Sequence, residues 1–320
     1  MKMLRMLIAL LAMAATHAAA IIPENGWWWA SNEGGRGFNI EVQNNLVFFA
    51  AFAYDGAGSP TWITAGGAMT SDRDFTADLT RYTAGQCFGC DYVQPTAVPA
   101  GTLTLRFTSS QTAVLTINGT AINVKRFDFW QNEAKPNAML GEWSAVIGAS
   151  GDLFDADRIV YTTPFTESSS GTPALGGARL GSTPASNGAA VIYSPSAQRW
   201  TALLDSSSGF YRLFEFSQTG FNRVEGSFWI YAKNTSPAGE GTFYQAFRTA
   251  SAAFVQNGTG PASTKRALEM DISEHFNARD RALFLALERE GKMRASVDES
   301  VVERARFLET LLEEARRAMQ

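Results

Sequence analysis

Histidine is almost missing from this 320-residue chain: His17 and His275 are the only two, one near each end. The long stretch between them has no imidazole to activate a serine or cysteine nucleophile or to ligate zinc, so Ser-His-Asp, Cys-His and histidine-based zinc sites are excluded there. Only carboxylates remain for acid–base work. Cysteine is equally sparse, Cys87 and Cys90 alone, and two thiolates without partners do not make a metal site. No cofactor is expected. Positive charge is also short: the net charge is -4 and the pI near 5.4, which gives no basic field for nucleic acid or anionic lipid. Beyond the first twenty residues no uncharged apolar run approaches the ~20 residues that a membrane-crossing helix needs, so no transmembrane segment is expected in the mature chain.

What is present begins with an export pattern. Lys2 and Arg5 precede an apolar run from Met6 to Ala15, and Ala18, Ala19 and Ala20 follow where a signal peptidase needs small residues. Residues 1–20 read as a cleaved secretory signal, and a periplasmic or secreted protein is expected. From there, short runs of Val, Ile, Phe, Trp and Thr alternate with Gly, Asn, Ser and Pro clusters, the punctuation of antiparallel β structure. Phe38, Ile40 and Val42 alternate with polar residues, Asn44-Asn45 turns the chain, and Leu46 to Tyr54 is nearly all apolar. After Asp55 to Pro60 the chain runs on through Thr61 to Met69. Thr102 to Phe107, Thr112 to Ile117 and Ala121 to Phe129 form a meander, with Asn118-Gly119 as a two-residue turn.

A polar connector from Gln131 to Asn137 suggests a boundary, dividing a first β unit (21–131) from a second (138–249). The second holds strands near Trp143 to Ile147, Ile159 to Tyr161, Ala190 to Tyr193, Trp200 to Leu204, Tyr211 to Phe216, Phe228 to Tyr231 and Thr242 to Phe247. Within it, Ser168 to Gly188 is dominated by Ser, Gly, Thr, Ala and Pro and reads as a long mobile loop. Both halves open on glycine near tryptophan (Gly26-Trp27; Gly141-Glu142-Trp143) and close on an aromatic strand with arginine (Arg126 to Trp130; Phe243 to Arg248). Two antiparallel units from a diverged duplication, or one barrel or sandwich using all the strands, both fit.

At 262–320 turn residues nearly vanish and charges of both signs appear, the signature of a helical hairpin. A helix is expected from Thr264 to Glu290, with Leu268, Ile272, Phe276, Leu283 and Leu287 on one side and Gly291 ending it. A second carries a stripe of Val301, Ala305, Leu308, Leu312, Ala315 and Met319, with Ser296 and Glu299 as a capping box. Folding back, docking on the β region, self-association as a coiled coil through Val301, Leu308 and Leu312, and membrane-surface contact are the possible uses of that stripe.

Trp27, Trp28 and Trp29 are consecutive, so in a strand Trp28 faces away from the other two. An exposed indole would serve as a platform for a sugar or small apolar ligand; otherwise the three pack into the fold. Cys87-Phe88-Gly89-Cys90 has no helix pattern after it, and in an oxidising compartment it reads as a loop-stapling disulfide. Glu33, Glu41, Asp55, Asp72, Asp74, Asp152, Asp155 and Asp157 are the acids available for a carboxylate-dependent hydrolase, but their spacing selects no pair.

The segment GWWWASNEGGRGF followed by YDGAGSPTW resembles a family of uncharacterised exported proteobacterial proteins with a Gly-Trp-Trp, Glu-x-Gly-x-Gly motif and a Tyr-Asp-x-x-Gly-x-Pro-x-Trp hairpin. The residues carrying it are Gly26, Trp27, Trp28, Glu33, Gly35, Gly37, Phe38, Tyr54, Asp55, Gly58, Pro60 and Trp62. The resemblance implies a periplasmic or secreted β module and brings no catalytic residues. The Gly-x-Trp opening is also similar to that of small-ligand barrels of the avidin and lipocalin kind. The expected function is a non-catalytic β module that binds a ligand or glycan, or acts as a scaffold, with Trp27, Trp28, Trp29, Glu33, Arg36, Tyr54 and Trp62 as candidate ligand-binding residues.

Overall fold

The computed structural model describes residues 21–129, 135–150, 153–206, 209–251 and 273–320. The expected signal at 1–20, most of the 131–137 connector, Asp152, and the stretch 264–272 with Leu268 and Ile272 lie outside these residues. The chain is mainly β and divides after Phe127 into two compact units. Each contains a closed antiparallel barrel of eight strands joined in sequence order, so of the two architectures open from the sequence, tandem units rather than one combined sheet are found.

The first barrel comprises β1 (Gly26–Trp29), β2 (Gly37–Gln43), β3 (Leu46–Tyr54), β4 (Pro60–Ala68), β5 (Asp74–Thr83), β6 (Thr96–Phe107), β7 (Thr112–Ile117) and β8 (Thr120–Arg126). Strand alternation sends Phe38, Ile40, Phe49, Phe75, Leu79, Leu103, Leu105, Phe107 and Leu115 inward, where they fill the lumen as a core. Asn44 (φ 55°) and the Asn118-Gly119 pair (φ 49° and 81°) take the left-handed conformations that tight hairpins require. β5 was not expected as a strand. Its Phe75-Ala77-Leu79 alternation lies among polar residues because its other face is wet.

The second barrel comprises β9 (Gly141–Ser150), β10 (Leu153–Thr166), β11 (Pro173–Arg179), β12 (Gly188–Ser194), β13 (Arg199–Ser206), β14 (Phe210–Gly220), β15 (Arg223–Ala232) and β16 (Thr242–Ala250). Among the described residues a 3-10 turn (Lys135–Met139) and three α-helices accompany it: the short α1 (Pro184–Asn187), α2 (Ser273–Arg289) and α3 (Glu299–Ala318). Trp143, Ile147, Ile159, Leu175, Val191, Trp200, Phe214, Phe216, Phe228 and Tyr244 fill its interior.

The stretch 168–188 is not one long loop. It contains β11 and the capped turn α1, whose N-cap Thr183 accepts a bond from the Ser186 N–H. The misleading composition has a packing cause. β11 reads Pro-Ala-Leu-Gly-Gly-Ala-Arg for two reasons: α3 lies on its outer face, where a Cβ on Gly176 would stand 3.3 Å from the Met319 sulfur, and a Cβ on Gly177 would strike the Val160 carbonyl at 2.1 Å. Leu175 points inward while Ala174 joins the layer under the helix.

That layer explains the α3 stripe. Val301, Ala305, Leu308, Leu311, Leu312 and Ala315 are buried against Ala190, Ile192, Leu203, Leu213, Trp229 and Tyr231 on the outside of the barrel. Val301, Leu308 and Leu312 therefore form no free seam for a coiled coil. Arg304 pairs with Glu215 at 2.5 Å, Arg316 with Asp205, and Tyr231 donates to Glu309 at 2.8 Å. The cap is also shifted from expectation: Asp298, not Ser296, is the N-cap, accepting from the Ser300 N–H at 2.8 Å. α2 ends at Gly291 (φ 73°), where Gly291 N donates to Glu288 and Lys292 N to Leu287, a complete Schellman pair.

The two barrels repeat one closing device. Gly26 (φ 118°) and Gly141 (φ 115°) open the first strands. Trp28 and Trp143, two residues on, are buried and donate Nε1–H to the carbonyls of Glu24 (3.1 Å) and Met139 (2.8 Å). From the last strand of the first barrel, Arg126 donates to the carbonyls of Asn25 and Trp27 at 2.8 Å. Arg248 does the same to Ala138 and Leu140 and lies 4.5 Å over the Trp143 ring. A side chain on Gly26 would meet the Arg126 guanidinium at 2.4 Å and displace it, and the positive φ itself favours glycine.

Candidate functional site

The candidate ligand residues separate according to strand parity. Trp28 is 1% exposed, edge-on to Phe107 in the filled core. It is part of the packed interior of the barrel. Trp29 is half-buried, 5.1 Å from Phe127 with Lys125 over its ring, and its Nε1 is buried without a hydrogen-bond partner among the described residues. Trp27 alone of the three is open, at 45%.

Trp27 belongs to an aromatic surface on the outer wall. On β3, alternate positions Phe48, Phe52 and Tyr54 point out, and Trp62 on β4 pairs directly with Phe52. Trp27 and Phe52 meet at 5.2 Å across Gly37, the residue between them on β2. The Trp27 ring lies over Gly37, whose Cβ position would be 3.9 Å from it. Phe52, Tyr54 and Trp62 are 46, 60 and 53% exposed. Single exposed aromatics need no explanation; several rings contiguous on rigid strands mark an interaction surface. Asn39 and Thr64, paired through Ala50, and Glu41, opposite Phe48, are polar residues on the same outward face. Trp27, Tyr54 and Trp62 of this group are candidates from the sequence; Phe48 and Phe52 are not, although their even spacing from Tyr54, six and two residues, places them on its face.

Glu33 and Arg36 form an ion pair in the β1–β2 loop, and the Tyr54 ring borders the same loop at Gly35. The other candidate acids of the first barrel, Asp55, Asp74, Asp72 and Glu41, have structural partners. Asp55 caps its turn by accepting from the Ala57 and Ser59 N–H groups at 2.9 Å, Asp74 pairs with Arg106 at 3.1 Å, and Asp72 with Arg73 at 3.6 Å. Glu41 accepts from Asn25 at 3.0 Å.

The Cys87–Cys90 pair is a disulfide in the β5–β6 connection. It closes only a short loop, so its removal is expected to cost the fold less than about 2 kcal/mol. Protease cleavage within 84–95 should accelerate on reduction while the thermal midpoint hardly moves; a collapse of the first barrel on reduction would contradict this.

The second barrel holds an ion network that the sequence did not reveal. Arg179 (β11) and Arg212 (β14) are fully buried in its mouth. Arg179 binds Asp157 (β10) through Nε and Nη2, both at 3.0 Å. Arg212 Nη1 reaches Asp155 at 2.8 Å and Asp157 at 3.2 Å, and its Nε donates to Asp280 on α2 at 2.7 Å. Arg279 joins Asp155 at 2.9 Å. Burial opposes ionisation of Asp157 and Asp280, but the arginines outweigh it and hold both below the ordinary carboxylate range. A glycosidase acid needs the opposite shift. Asp157 and Asp280 are held as salt-bridge partners of Arg179 and Arg212.

Because both folded-state values lie below the unfolded ones, the stabilisation is complete above pH ~5 and is lost as pH falls through and below ~4. Hydrogen exchange of the β12–β14 amides is expected to be level from pH 7 to 5, after correction for intrinsic rates, and to open steeply below 4. Opening that starts above pH 5 would contradict the assignment.

Among the described residues no helix is long and apolar enough to cross a membrane. No family model matches the chain, and no curated protein matches it.

Proposed function

We propose that the protein is an exported, non-catalytic β module whose first barrel binds a glycan on its outer wall. The observation that carries this reading is the row of solvent-facing rings, Trp27, Phe52, Trp62 and Tyr54, held on neighbouring strands around Gly37. Flat apolar rings match the C–H face of a pyranose, while the indole N–H groups, Asn39, Thr64 and the Glu33–Arg36 pair supply hydrogen-bonding groups at the edges. Strand-borne rings lose little freedom on binding, which favours affinity from a small contact area. The filled lumen supports placing the ligand on the wall. The basic, apolar and small-residue order of residues 1–20 supports export.

Glycan-array screening of the secreted protein tests the reading. A hit is expected, with affinity falling at least tenfold in the double variant Trp27→Ala, Trp62→Ala at unchanged thermal midpoint. An array without hits, or a hit indifferent to that variant, would overturn it. Mass spectrometry of the secreted N-terminus, expected after Ala20, tests export separately.

A further inference from the structure

The carboxylate of Asp280 is received by donors of the barrel wall. Arg212 turns the Nε–Nη2 edge of its guanidinium to Oδ1, with Nε at 2.7 Å, Arg179 adds Nη2 at 3.4 Å, and Ser206 at the end of β13 donates its hydroxyl to Oδ2. Asp280, Ser206 and both arginines are buried. Within the barrel, Asp157 takes the Nε–Nη2 edge of Arg179, and Asp155 and Asp157 take Nη1 of Arg212. The second edge of Arg212 is left to whatever enters the mouth. Here α2 enters, and after Asp280 it sets Leu283 and Leu287 into the core, with Phe284 4.9 Å from Phe210.

Closure alone does not call for ions at this position, because replacing both sides of a buried ion pair by apolar residues is often neutral or stabilising. A charged latch makes closure specific and exchangeable for another anion. We infer that the mouth of the second barrel is a carboxylate-binding site which α2 fills in cis, and that a monocarboxylate with an apolar body competes with Asp280 and the leucines behind it. Arg212 directs two charge-assisted N–H groups at one carboxylate oxygen, and Ser206 donates to the other.

The full-length chain supplies the test. In Asp280→Ala, acetate is expected to raise the thermal midpoint saturably over chloride at equal ionic strength, since it fits the vacated position. In the wild type, octanoate below its micelle concentration is expected to speed protease cleavage within 273–320 at least tenfold, while octanol does not. The inference is overturned if octanoate and octanol act alike on the wild type, or if the variant responds equally to acetate and chloride. Should Asp280→Ala fail to fold, the wild-type comparison decides alone.

Discussion

Arg212→Met is expected to destabilise the second barrel by about 3–5 kcal/mol, the cost of leaving buried carboxylates without their counter-charge. Three acids lose a partner at once, Asp155, Asp157 and Asp280, although Arg179 and Arg279 retain part of the hold on each. Urea unfolding followed by exchange of β12–β14 amides measures the loss. The informative companion is Arg212→Met combined with Asp280→Leu, which removes one charge of each sign and supplies apolar volume where Leu283 and Leu287 already pack. Much of the lost stability is expected to return in the double variant, and a coupling of at least about 1 kcal/mol between the sites identifies a direct interaction. If the single variant costs less than about 1 kcal/mol, the network is not what holds α2 in the mouth.

The second large effect falls on the two closing tryptophans. Trp28→Ala and Trp143→Ala each remove a buried indole and its bond to a backbone carbonyl, and each is expected to cost about 3–5 kcal/mol in its own barrel. Trp27→Ala, one residue away but pointing outward, is expected to stay within about 1 kcal/mol, as surface substitutions do. Denaturant midpoints of the three variants give the contrast directly. Equal losses at Trp27 and Trp28 would mean that the outer aromatic wall is part of the fold and would remove the argument for a binding surface.

Those neighbours also define what could be read from sequence. Parity fixed that Trp28 faces away from Trp27 and Trp29, but which face is inside depends on the strands paired beside β1, and these are distant in the chain. Strands with clean alternation or asparagine turns, such as β2, β3 and β7, were legible. β11 was not, because its small residues answer in part to a helix more than a hundred positions later, and the local composition carries no trace of that helix. The α3 stripe was plain for a related reason: periodicity reports that a face is buried, not against what. The ion network was invisible, since Asp155, Arg179, Arg212 and Asp280 lie on four elements and no spacing links them. At the outer wall the motif supplied Trp27, Tyr54 and Trp62, while Phe52 needed the register to place it opposite Trp62.

The clamp arginines have a kinetic consequence. Arg126 reaches the Trp27 carbonyl across 99 residues and Arg248 the Leu140 carbonyl across 108. Each barrel therefore closes only when its last strand finds its first, a contact whose loop-closure entropy is met late and whose folding is slow. Until then both outermost strands present unpaired backbone, the very feature that closure removes. Refolding of each unit should thus be most aggregation-prone just before completion, and arginine-to-lysine changes at 126 or 248 should lengthen that interval more than they alter the finished barrel.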